Sequence, residues 1–196
     1  GTHVAGTVAG TGAASANDPR RPAYYDGIAP EANLIGLGAG EGLNIFFALQ
    51  GFDWVLANQQ RYGIDIVTNS WGSSNSVYDP NNPINRASYE AYRRGMVVTF
   101  AAGNDGPDAD TLNPYAIVPW VVNVGSGTKQ RGLSSFSSRG VAGDTYQHID
   151  VVAPGSLAPH RPRRRCPHHR RRQPRVPARN RRRRRCRHRF GRRACR

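Results

Sequence analysis

Ile64-Asp65-Ile66-Val67-Thr68-Asn69-Ser70 is the stretch on which the fold turns. Ile64, Ile66, Val67 and Thr68 are β-branched, the run is short, and Gly63 and Gly72 bound it closely. That pattern predicts a strand buried in a parallel sheet rather than a half-exposed one. Upstream, residues 44–60 place Ile45, Leu49, Phe52 and Leu56 on one face, which predicts an amphipathic helix ending near Gly63. Downstream, the polar loop holding Asp79-Pro80-Asn81-Asn82-Pro83 leads to a helix at about 84–94, closed by Gly95. Met96 to Ala101 is the next apolar strand. Strand, helix and strand in this rhythm predict βαβ units and a parallel sheet covered on both faces.

Working outward, Asn33-Leu34-Ile35-Gly36-Leu37 reads as a short buried strand, and residues 12–27 as a surface loop. Trp120-Val121-Val122-Asn123-Val124 and Ile149-Asp150-Val151-Val152 read as further strands. The first ten residues, Gly1-Thr2-His3-Val4-Ala5-Gly6-Thr7-Val8-Ala9-Gly10, carry no charge beside the histidine and no bulky side chain. They predict a helix with Val4 and Val8 on one face and His3 outward in its first turn. Small residues let such a helix pack tightly, the support a general base needs.

Three sets of residues could carry chemistry. His3 reads as a general base or as a structural histidine. Ala101-Ala102-Gly103-Asn104-Asp105-Gly106 comes directly after a strand, where ligands bind in open α/β sheets. The Asn104 amide could donate to a developing oxyanion there, although Asn, Asp and Gly also dominate ordinary turns. Ser70-Trp71-Gly72, at the end of another strand, could bind an extended peptide and wall a side-chain pocket, or could simply close the strand.

The order of these strings decides between the readings. His3 in its ten-residue context, Ser70-Trp71-Gly72 and Asn104 resemble segments of subtilisin-like serine peptidases. The likeness extends to Gly27-Ile28-Ala29-Pro30, Val122-Asn123-Val124-Gly125, Ser135-Phe136-Ser137-Ser138-Arg139-Gly140 and Val152-Ala153-Pro154-Gly155. It spans essentially all of residues 1–155. It implies a three-layer α/β fold with a seven-stranded parallel sheet between helices, incomplete in this chain. It further implies a Ser-His-Asp endopeptidase acting on polypeptides, with His3 as base and Asn104 as oxyanion donor. Ser70, Trp71, Gly72, Ala102 and Gly103 would line the primary specificity pocket. Secretion and loop-bound structural calcium belong to the same implication, with no cofactor for the chemistry. No Asp/Glu cluster has calcium-loop spacing.

The family's triad runs Asp, His, Ser along the chain. The Asp is expected before Gly1, and the Ser in a Gly-Thr-Ser-Met-Ala segment absent after Gly155. Neither Asp150 nor Ser156 takes those places. With no initiator Met, the sequence reads as a piece of a longer protein.

Charge divides the chain sharply. Residues 1–156 carry 9 Lys+Arg against 13 Asp+Glu, whereas residues 157–196 carry 19 Arg and no acid. We expect a partial peptidase domain at 1–155 and an Arg/Pro-rich tail at 156–196 that buries no core. The tail fits GC-rich codons read in a shifted frame. The other reading is a genuine Arg-rich arm on a degenerate, non-catalytic domain that binds nucleic acid. Cys166, Cys186 and Cys195 lack the paired spacing of a zinc frame. No run is long and apolar enough to span a membrane. The 196 residues alone are expected not to hydrolyse peptides; hydrolysis by the purified chain that His3→Ala abolishes would overturn this.

Overall fold

The computed structural model describes residues 1–17, 19, 25–38, 44–74 and 77–156. The tail, and with it the shifted-frame and arm readings, lies outside the described residues. The elements run α1 (Thr2–Ala9), a 3-10 turn (Ala13–Ser15), α2 (Ile45–Tyr62), β1 (Ile66–Asn69), α3 (Pro83–Arg93), β2 (Val97–Ala101), β3 (Val121–Thr128) and β4 (Val151–Ser156). The four strands form one parallel sheet in the order β1-β2-β3-β4. The α/β class and the parallel sheet are as expected; four of the seven implied strands occur among the described residues.

Capping chemistry sets the helix limits. Asn44 Oδ1 accepts the Phe46 N–H at 3.0 Å to start α2, and Gly63 ends it at φ 60°. Asn82 Oδ1 accepts the Ile84 N–H at 2.9 Å, with Pro83 in the first turn of α3. Past α3, Gly95 at φ 87° turns the chain so that Met96 N donates to Ala91 O at 3.2 Å. Arg94 then ties the two helices, donating through Nη1 to Leu56 O (2.8 Å) and through Nε to Glu90 Oε1 (3.0 Å).

The core lies between these helices and the sheet. Phe52 and Val55 of α2, Ile84 and Ala91 of α3, and Val98 and Phe100 of β2 are buried together with Met96, Val118 and Val121. The α2 face includes Val55, while Ile45, expected on it, is exposed in the first turn.

Three expectations fail here. Asn33–Leu37 forms no strand: Leu34, Ile35 and Leu37 are exposed, and no described strand pairs with them. Among the described residues β1 is not interior but the sheet's edge, and Ile66 is 63% exposed. Nor is the sheet covered on both faces among the described residues. Alternation puts Val98 and Phe100 toward the helices and Val97 and Thr99 on the opposite face. Ile66, Val97 (49%) and Val151 (49%) stay exposed on that face.

Such a surface promotes association. The 196-residue chain is therefore expected to self-associate in light scattering, less so after Ile66→Thr with Val97→Thr. A sharp cooperative melt of a monomer would contradict this.

Candidate active site

Parallel strands send their carboxyl ends the same way, so the segments beyond β1 and β2 leave the sheet side by side. Asn69 pairs with Phe100 as the last rung; Ser70-Trp71-Gly72 follows it on one strand, and Ala101 and then Ala102-Gly103-Asn104 on the other. The Asn69 amide reinforces that rung, donating to Thr99 O at 3.1 Å. Ser70 and Asn104 are exposed, and Ala102 is buried. Phe100 and Tyr115 hold the Trp71 ring, with centroids 5.1 Å and 5.7 Å away.

The backbone at Asn104 is closely fastened. Ala102 N donates to Val124 O at 2.9 Å, and Ser138 N to Gly103 O at 3.1 Å. The buried Ser138 Oγ accepts the Asp105 N–H at 3.0 Å. Gly103 sits at φ 110°, where an added Cβ would fall 2.5 Å from Ser138 Oγ. The loop holding Asn104 is thus fixed by Ser138, which carries part of the family likeness but has no role legible in its own string.

Asn113 is the second residue the sequence did not single out. It is 3% exposed, and its Nδ2 donates both to Trp71 O (3.1 Å) and to Ala101 O (3.0 Å). Its N–H donates to Ala102 O at 2.8 Å, and its Oδ1 accepts from Tyr115 N at 3.2 Å. In Leu112-Asn113-Pro114 an asparagine reads as a turn residue, and no periodicity marks it as buried.

His3 stands apart. It is exposed in the first turn of α1, a helix with no buried residue. The helix is strapped at its far end, where Gly27, Ile28 and Ala29 donate to Gly10 O, Thr7 O and Val8 O at 2.8, 3.0 and 2.7 Å. This gives Gly27-Ile28-Ala29-Pro30 its structural task. Among the described residues no hydrogen bond or ion pair joins the imidazole to the strand ends, so the tight packing expected around it is not found. The structure brings together the two strand-end segments and leaves His3 on a separate element.

Other polar groups serve the framework. Asp150 Oδ2 accepts the Asn123 N–H at 2.7 Å, and its Oδ1 pairs with His148 at 3.0 Å. The N–H groups of Gln147 and then Tyr146 hold the exposed Asp144 carboxyl below its usual value. That contribution is present above the ordinary carboxylate pKa and disappears as pH falls through the lowered one. For the calcium implied by the resemblance, no three Asp, Glu, His or Cys side chains converge among the described residues. The described side chains thus offer no carboxylate-built calcium site. No helix among the described residues is long and apolar enough to cross a membrane.

Comparison with known proteins assigns the class. Residues 1–184 match the model of the subtilase family (Peptidase S8), and the chain belongs to that family. Serine protease AprX of Bacillus subtilis is 35% identical, over 79% of this chain and 37% of its own. Alkaline protease 1 of Emericella nidulans is 31% identical, over 79% of this chain and 34% of its own. Among solved structures, S41 psychrophilic protease superposes with a TM-score of 0.62 at 26% identity, over 78% of this chain and 51% of that one. Sphericase superposes at 0.60 with 25% identity, over 78% and 51%. The chain spans about a third of these relatives and half of these structures.

Gly103→Ala is expected to loosen the Asn104 loop, because strain at positive φ adds more than about 1 kcal/mol to the usual substitution effect. Hydrogen exchange at Asp105 N–H should speed accordingly.

Proposed function

We propose that the protein containing these residues is a secreted serine endopeptidase that cleaves polypeptides through a Ser-His-Asp mechanism. The observation that carries this is that Ser70–Gly72 and Ala102–Asn104 follow the paired ends of neighbouring parallel strands, bridged by Asn113, in a chain of the subtilase family. The first segment, exposed along one side, suits an extended substrate strand. Ala102 and Gly103 form the opposite wall of the pocket for the substrate's primary side chain. Asn104, held by the Gly103–Ser138 bond, presents its amide to the oxyanion that forms when a serine attacks the scissile carbonyl.

His3 takes the serine's proton as the carbonyl is attacked and returns it to the leaving amine; an aspartate fixes its tautomer. No cofactor enters these steps. A relative named minor extracellular protease Epr supports secretion. Loop-bound calcium is the remaining proposal from the family resemblance, through groups other than a described carboxylate cluster. Nothing favours the nucleic-acid reading.

In protein expressed from the full coding sequence, His3→Ala is expected to lower kcat by about 10⁶, the loss seen when subtilisin loses its histidine. Asn104→Ala should lower it by about 10²–10³, as for the oxyanion asparagine of subtilisin. A full-length protein that neither hydrolyses peptides nor reacts with a serine-directed phosphonofluoridate is a non-catalytic domain, and the proposal fails.

A further inference from the structure

The two segments flanking the proposed pocket are not held apart by the sheet. The ladder between β1 and β2 stops at Asn69 and Phe100, one residue before Ser70 and Ala101. Beyond it, the Asn113 side-chain amide spans from one segment to the other. One NH₂ group donates to Trp71 O at 3.1 Å and Ala101 O at 3.0 Å, one hydrogen to each side. The same residue's N–H fixes Ala102 through its carbonyl at 2.8 Å, and its Oδ1 is held by Tyr115 N, so the amide cannot turn over without breaking three partners. Gly72 completes the arrangement. A Cβ there would run into the Nδ2, Cγ and Oδ1 of Asn113, so the absence of a side chain at 72 is what admits the amide.

We infer that Asn113 is a positioning residue for substrate side-chain selection: its amide is a strut that sets the spacing between Ser70–Gly72 and Ala102–Gly103, and so the width offered to the residue preceding the scissile bond. This rests on the function proposed above. The strut touches backbone only, so it acts on how the walls stand rather than on the reacting atoms. Its loss should therefore appear in KM and in discrimination between large and small side chains, with kcat little changed. Gly72 and Asn113 should also be coupled, since the three atoms nearest a Cβ at 72 all belong to the Asn113 amide.

The test uses full-length protein and two peptides that differ only before the cleaved bond, one with Phe and one with Ala. Asn113→Ala is expected to raise KM for the Phe peptide by about tenfold or more, equivalent to about 1.4 kcal/mol, while kcat and the Ala peptide change less than about threefold. Asn113→Asp should be worse at neutral pH, where a carboxylate faces two carbonyl oxygens. Its defect should shrink as acid restores a donor at that atom. Gly72→Ala should impair the unaltered protein strongly yet add less than about threefold to Asn113→Ala. Equal losses on both peptides, a loss confined to kcat, or independent effects of the 72 and 113 substitutions would overturn the strut. If Asn113→Ala fails to fold, the acid response of Asn113→Asp and the effect of Gly72→Ala on the peptide ratio decide alone. Unaltered full-length protein that cuts neither peptide overturns the proposed function instead, a result separable from every other outcome.

Discussion

The packing of Phe100 is the constraint on which the rest depends. It is 1% exposed and sits in the middle of a row across the sheet, paired with Asn69 of β1 on one side and Asn123 of β3 on the other. Its ring belongs to the core that α2 and α3 cover, and Trp71 meets it edge-on at an interplanar angle of 77°. The same side chain thus closes the interior and supports the wall that leaves β1. Because the strands are parallel, that support falls at the one sheet end where both site segments emerge. Core and site here are successive layers of a single packing unit.

Much of this was legible in the residues. Asn44, Gly63, Asn82-Pro83 and Gly95 bracket their helices by local chemistry, which acts within a few residues and so can be read without the fold. The strand ends carrying Ser70 and Asn104 follow from β-branched runs and the strands' common direction. Burial was the less legible quantity. Ile66 belongs to an apolar run yet lies on an edge, because exposure depends on which strands sit beside it, and composition is silent on neighbours. Leu34, Ile35 and Leu37 illustrate the same point: apolar alternation favours a strand only where a ladder exists to join. Asn113 and Ser138 escaped for a different reason. Their importance is made by Trp71 and Asp105, which lie 42 and 33 positions away, and polar side chains buried by long-range bonds leave no periodic trace.

The site's parts differ in how they are anchored. Ala102 to Asp105 is held by strand β3 and by Ser138, and Trp71 by two aromatic rings and an amide. His3 is carried by a helix fastened at its opposite end, by three backbone bonds from Gly27–Ala29. Ser70–Gly72 and Ala102–Asn104 are therefore tied to the core, while His3 stands at the far end of an eight-residue helix.

The order of the sheet bears on how the chain is made. Among the described residues strand order and chain order coincide, and each crossover steps to the next position. Of the four described strands, each from β2 onward finds its pairing partner already synthesised as it leaves the ribosome. Loop closures therefore stay local to adjacent segments, which eases growth of a parallel sheet whose distant pairings are otherwise slow to form. The sheet can extend in one direction, from the amino-terminal edge toward β4, at the pace of translation.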